Sequence, residues 1–446
     1  MPADEWVPRV LFGLDPLWTS TALLIATYVV IMTERVNRAI VAGIGACLMI
    51  VLGVLNQEAA IAGVDFNTIM LLAGMMLIVG VTKQSGMFQY IAIWSAKKAN
   101  ANPAGILLAL SVATAAISAF LDNVTTVLLV VPVTIAITRE LKVPPYPFLF
   151  SEVLASNIGG TATLVGDPPN IVIGSAAGFT FNDFVVNLTP VIVMILAVTA
   201  GLLHLIYGRR LTAAEADRQR VLAMNERDAI TDPVLLRHCL GVLAAVIAAF
   251  VLAREIHLEA GTIAMFGAAI LLLLENWPHK AEDQSHRVHA RFGDVEWITL
   301  FFFIGLFVVV AGVERAGLLR MLAGKVLDLT GGDLALTTGA ILWSSAILSS
   351  IVDNIPFVVT MVPLIHSLAP AMGGPEAIEP LWWALSLGAC LGGNGTLIGA
   401  SANLTVAGIA DRSGIPFRFL TFTRQAYPLM LVSIAIAHGY LYLRYL

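Results

Sequence analysis

Charge is scarce in this 446-residue chain: Asp, Glu, Lys and Arg make up 12% of it, about half of the roughly 25% usual in soluble domains. Hydrophobic residues make up 58% and mean hydropathy is +0.86, so polar side chains cannot cover a globule and the chain reads as integral to a membrane. Cysteine is almost missing. Cys47, Cys239 and Cys390 lie in or beside apolar runs without a CxxC spacing, which argues against a disulfide framework or a zinc site and for small buried hydrophobes. No GxxxxGK[ST] string occurs, so ATP hydrolysis by this chain has no support. An intramembrane aspartyl protease places one acid in Gly-x-Gly-Asp, but Gly166-Asp167 has Leu164 where that motif needs glycine. An enzyme is therefore not indicated, nor a cofactor, a metal or a nucleic-acid partner. Residues 1–16 carry acids and Trp6 in place of a basic leader, so the first apolar run is expected to stay as a permanent span.

What the chain has instead is a message written twice. Phe120-Leu121-Asp122-Asn123-Val124-Thr125-Thr126 leads into an apolar segment through Pro132, and Ile351-Val352-Asp353-Asn354-Ile355-Pro356-Phe357 leads into one through Pro363, 231 residues later. Gly159-Gly160-Thr161-Ala162-Thr163-Leu164-Val165-Gly166, ending at Asn170, returns as Gly392-Gly393-Asn394-Gly395-Thr396-Leu397-Ile398-Gly399, ending at Asn403, with six of twelve positions identical. Gly74 with Gly305, Thr68 with Thr299 and Gly86 with Gly317 keep the same 231-residue offset.

A helical span needs about 20 mostly apolar residues, and 17–32, 39–55 and 68–82 qualify. The stretch 88–100 is too polar to cross and reads as an interfacial helix. Two apolar runs within 104–138 are separated only by residues 121–123, too few to reach water and return, so they form a re-entrant hairpin. Residues 147–178 read as a helix broken around 159–169, and 184–207 closes the first repeat, 17–208. A polar linker, 209–234, leads to the second repeat, 235–443. It has spans at 235–253, 260–274 and 297–313, an amphipathic piece at 315–329, a hairpin at 334–368, a broken helix at 381–411 and a last span at 419–442. His257, His279, His286 and His289 fall in stretches read as solvated loops.

The fold expected is thus an all-α integral membrane protein of two repeats, each with five spans, a re-entrant hairpin and a discontinuous helix. An odd number of crossings per repeat makes the repeats inverted. Arg35, Arg38, Lys83, Lys97, Lys98, Arg139, Lys142 and five arginines from Arg209 to Arg227 fall on one side, while 56–66 and 179–183 carry no Lys or Arg. That side is expected to be cytoplasmic, in a cell (inner) membrane, with both termini outside. Arg315, Arg320 and Lys325 run against the rule locally.

Inverted repeats with broken helices at matched positions are the signature of a secondary transporter whose site lies near the bilayer midplane. Asp122 and Asp353 are costly inside a membrane, at least about 2.5 kcal/mol on insertion scales, and are assigned the coupling ion or proton; each also suits the N-cap of the helix that follows. The solute-binding candidates are Asn123, Thr125, Thr126, Gly160, Thr161, Thr163, Asn170, Asn354, Gly393, Asn394, Thr396, Ser401 and Asn403. The same polar groups could serve only to bond helix to helix. Asp167 faces Ala400 in the repeat and either joins the site or starts the following half-helix.

These motifs closely resemble the ArsB/NhaD family of the ion transporter superfamily, which includes arsenite/antimonite efflux permeases, sodium/proton antiporters and the melanosomal P protein. The likeness runs over nearly the whole chain from Leu17. It implies elevator-like alternating access driven by an ion gradient, a scaffold that mediates a homodimer, and, for the arsenite permeases, possible pairing with a soluble ATPase. Arsenite or antimonite exchanged for protons is the cargo favoured, since the trihydroxide is uncharged and Asn, Thr and backbone dipoles suit it. Sodium/proton exchange, or an anion transporter or channel of the P protein type, is the alternative.

Overall fold

The computed structural model describes residues 8–33 and 35–446; Trp6 and the rest of 1–7, part of the segment read as lacking a leader, lie outside them. Among the described residues the only regular structure is helical.

The first half runs α1 (Pro16–Met32), α2 (Arg38–Val51), a short α3 (Gln57–Ala62), α4 (Phe66–Lys83) and the surface helix α5 (Met87–Lys98). The hairpin follows as α6 (Pro103–Ser118) and α7 (Asn123–Glu140), then the broken helix α8 (Tyr146–Gly160) and α9 (Pro168–Ala177), then α10 (Phe181–Tyr207). In the linker lies α11 (Glu215–Ala223). The second half has α12 (Pro233–Val251), a short α13 (Ala253–Ile256), α14 (Ala260–Asn276), α15 (Ala281–Gly293), α16 (Trp297–Arg315) and α17 (Leu318–Thr330). Its hairpin is α18 (Leu334–Ser349) and α19 (Asn354–Leu368), its broken helix α20 (Glu379–Gly392) and α21 (Ser401–Arg412), and α22 (Phe419–Tyr445) ends it.

Local chemistry sets these boundaries. Asp15, Asp65, Asn102, Asp232 and Asp333 cap the helices they precede through side-chain oxygens. Gly86 and Gly317, at matched positions before α5 and α17, take φ of 79° and 91°, a left-handed turn that glycine enters without steric cost. At 16 residues each, α6 and α18 are about 24 Å long at 1.5 Å per residue, short of a bilayer core of about 30 Å.

The two halves also repeat their packing. A Cβ on Gly159 would lie 2.2 Å from the Ala115 carbonyl oxygen, and one on Gly392 2.6 Å from that of Ala346, so each broken helix rests backbone to backbone on its hairpin. In lipid, such close small-residue contacts replace the hydrophobic effect as the packing force.

Inversion is visible in direction. Residues 38, 42 and 49 of α2 meet 299, 305 and 312 of α16 in that order, and 67, 74 and 78 of α4 meet 261, 264 and 267 of α14. The second span of one repeat thus runs parallel to the third of the other. Repeats of the same sense would make those pairs antiparallel.

Two stretches read as polar loops are folded. Residues 281–293, with His286 and His289, form α15, strapped down because Arg287 and Arg291 pair with Glu275 of α14 at 3.2 and 2.7 Å. In the linker, Arg220 of α11 bonds the Glu140 carbonyl at 2.9 Å and Asp217 pairs with Lys142 at 3.2 Å, which docks α11 on the base of the first hairpin. Burial pushes the Asp217 carboxyl up, but Lys142 and Arg220 together hold it below its ordinary range.

Inversion predicts that the two hairpins open to opposite faces. Single cysteines at Ala104 and Leu334, in a background without Cys47, Cys239 and Cys390, are expected to react with an impermeant thiol reagent from opposite sides. Labelling of both from one side would make the repeats parallel.

Candidate functional site

Each break is held by its terminal asparagine. Asn170 donates from Nδ2 to the carbonyls of Thr161 and Thr163 at 3.1 and 2.9 Å, and Asn403 to those of Gly393 and Thr396 at 2.8 and 2.8 Å. Carbonyls freed at the end of α8 and α20 would otherwise be unsatisfied in an apolar interior. The matched threonines tie each break to its hairpin tip: Thr163 donates to the Ala119 carbonyl, and Thr396 to that of Ser350 at 2.5 Å. Thr161 bonds back to the Asn157 carbonyl at 2.7 Å. Gly160 and Gly166 face each other so closely that a Cβ on Gly160 would lie 2.5 Å from the Gly166 oxygen; for Gly393 and Gly399 the gap is 3.0 Å.

Amides join the two repeats. Asn157, fully buried in α8, accepts from Asn123 at 3.0 Å and donates to the Oδ1 atoms of Asn394 and Asn403, both at 2.9 Å. On the matched side, Asn170 Oδ1 accepts from Ser386 at 2.6 Å and lies 3.5 Å from Cys390 Sγ. Asn170 and Asn403 therefore spend their donors on the breaks and their acceptors on the opposite repeat. Asn157 and Cys390 occupy equivalent positions, 233 residues apart. That substitution is why comparing the repeats did not reveal Asn157.

Acids gather around this cluster. Asp122 caps α7, accepting from the Thr125 amide at 2.8 Å and its hydroxyl at 2.5 Å, and no cation pairs with it among the described residues. Asp353 caps α19 through the Ile355 amide at 3.2 Å, but also accepts from Ser401 at 3.0 Å and pairs with Arg38 at 3.1 Å. Arg38 is fixed in turn by Ser401 at 2.8 Å and Thr299 at 3.2 Å, with its guanidinium 5.1 Å over the ring of Phe302. Asp167 makes no cap bond to α9. It is 1% exposed, with both oxygens 3.5 Å from Asn354 Nδ2.

Of the residues singled out in the sequence, Asn123, Asn394, Asn403, Asn170 and the threonines of the breaks are drawn into one network. Ser401 and Asn354 meet acids, and the buried hydroxyl of Thr126 is left without a partner. Sequence reasoning passed over Arg38, counted only as a basic loop residue, and Glu152. The latter is fully buried in α8, accepts from Thr134 at 2.5 Å and leaves Oε2 without a hydrogen-bond partner. A carboxyl among Phe148, Phe150 and Leu154 was the available signal.

A family model described as citrate transporter matches residues 28–388. An uncharacterized transporter of Mycobacterium tuberculosis is 44% identical over 431 residues, 96% of this chain and 98% of the relative. The P protein of Homo sapiens is 34% identical over 505 aligned positions, 95% of this chain and 59% of that protein. Among solved structures, the YdaH transporter of Alcanivorax borkumensis, described as having an unusual topology, superposes with a TM-score of 0.58 at 14% identity, covering 96% of this chain and 98% of that one, a likeness of fold. The match to a citrate transporter model supports the superfamily expected from the motifs, but not the narrower ArsB/NhaD family. The chain belongs to the citrate transporter family of the ion transporter superfamily and is a multi-pass membrane transporter.

Proposed function

We propose that the chain is a cation-coupled secondary transporter that carries a small uncharged, hydroxyl-bearing solute between its hairpin tips, with arsenite or antimonite trihydroxide exported in exchange for protons. The observation that carries this proposal is the charge of the site: Asp122, Asp167 and Asp353 stand against Arg38 as the one cation paired there among the described residues. Such a site repels a free polyanion and suits a neutral solute bound by amides and hydroxyls, with a cation neutralising the acids. Citrate gives the family model its description; a tricarboxylate would fit here only as a complex with a cation. Asp122 is the natural seat of the coupling ion, because its carboxylate is not already paired. Elevator movement of hairpins and broken helices against α2, α4, α14 and α16, in a homodimer, belongs to the same proposal.

Sodium/proton exchange is the second reading, favoured by the Asp122 carboxylate, which no cation pairs with among the described residues and which a sodium ion could neutralise as well as a proton. Flux into proteoliposomes under an imposed pH gradient tests both, with arsenite, antimonite, sodium and citrate, the last with and without magnesium. Arsenite or antimonite flux coupled to protons is the expected result. Sodium flux alone would favour exchange, and metal-independent citrate flux would overturn both.

A further inference from the structure

The two hairpins do not touch the scaffold at matched heights. At the first tip, Phe120 and Leu121 line one cavity with Ile78 and Thr82, in the last third of α4. The repeat pairs Ile78 and Thr82 with Val309 and Val313 of α16. Yet the second tip is tied, through Arg38, to Thr299 in the first turn of α16. The difference is ten to fourteen residues, about 15–21 Å along a helix. With the basic face taken as cytoplasmic, both tips lie toward the cytoplasmic ends of the scaffold helices. In an inverted repeat, the contact made by one hairpin is the one its twin makes in the opposite state. The first tip would then come to Thr68, near the start of α14.

Arg38 breaks this equivalence. The close approaches of Gly305 to Ala42 and of Gly74 to Ala264 match α2 with α14 at an offset of 222, which sets Ala260 opposite Arg38. In the opposite state Asp122 would meet an alanine in place of an arginine, and Arg254, the cation lining the same cavity as Ala260, is already paired with Asp183 at 3.2 Å.

We infer that the Arg38–Asp353 pair is a one-sided latch, which holds the carrier facing the cytoplasm and has no counterpart in the outward-facing state. Thr299 and Phe302 keep the guanidinium on the scaffold, so the hairpin, not the arginine, must let go. The inference rests on the elevator proposal above. Arg38 is a positioning residue here: it biases an equilibrium between two states by favouring one of them.

One tip cysteine with two alternative scaffold partners tests it, in a background without Cys47, Cys239 and Cys390. With Arg38 present, Leu121→Cys is expected to cross-link to Thr82→Cys through a short bifunctional thiol reagent, and only slowly to Ala260→Cys. Arg38→Gln should slow the first reaction and speed the second, each by at least about fivefold, the change that loss of roughly one such ion pair produces. The double variant Arg38→Gln, Asp353→Asn should match Arg38→Gln, since the latch is absent in both and no acid is left unpaired. Unchanged rates in Arg38→Gln overturn the latch while leaving the elevator intact. Wild-type rates in the double variant also overturn it, by tracing the effect to an orphaned carboxylate. No cross-link between positions 121 and 260 in any background, with or without arsenite, removes the elevator proposal and the latch with it.

Discussion

Asp122→Asn is expected to lower pH-gradient-driven transport at least 100-fold, about 2.7 kcal/mol on the scale of 1.36 kcal/mol per decade, with little change in the amount of folded protein. Asparagine is itself a favoured N-cap, so the start of α7 and its bond to the Thr125 amide survive, while the charge that binds a cation is lost. Asp353→Asn is expected to stop transport too, but at a structural cost, because it leaves Arg38 without its partner at a part-buried position. Gradient-driven flux in proteoliposomes, read beside thermal stability in detergent, separates the two. Wild-type flux in Asp122→Asn would remove that residue from coupling.

Gly160→Leu is expected to abolish transport and reduce the yield of folded protein, more severely than Gly393→Leu and far more than Cys390→Ser. The first added carbon at position 160 would stand 2.5 Å from the Gly166 carbonyl oxygen and 3.3 Å from Ser118 Oγ, so backbone on both sides of the break must shift. At position 393 the nearest atom is 3.0 Å away. Overpacking of a close contact costs typically about 1–3 kcal/mol, and more where backbone must move. Cys390 is buried with its thiol beside polar groups, Asn170 Oδ1 at 3.5 Å among them, so a serine of similar size, which can make the same contacts, loses little. Flux together with size-exclusion yield checks the order. An inactive Cys390→Ser beside normal glycine variants would point to thiol capture of arsenic in the site.

The glycines show how sequence and structure divided the work. Their spacing marked them as helix breakers, and that is where α8 and α20 end. Sequence counted Gly160 and Gly393 among the solute-binding candidates; in the structure the paired glycines let the chain pass close to itself, Gly159 against Ala115 and Gly160 against Gly166. Asp167 turned the other way. A residue between glycine and two prolines reads locally as a helix start, but its carboxylate leaves α9 uncapped and faces Asn354, 187 residues away. The α15 helix was missed because its apolar stripe is thin and its stability comes from Glu275, which lies outside the segment.

The sequence by itself determined that this chain lives in a membrane, that it is built twice in opposite senses, and that each half carries a hairpin with an acid at its tip and a helix with a break. Those features follow from hydropathy, capping and glycine or proline spacing, which act over a few neighbouring residues and leave their mark in every copy. Only the tertiary structure decided which groups meet: Asn157 with Asn394 and Asn403, Asn354 with Asp167, and Arg38 with Asp353 across 315 residues. No local rule reaches so far, and comparing the halves finds only what they share. Asn157 is a cysteine in the other half and Arg38 an alanine, so the groups that make the two halves unequal were the ones the repeat concealed.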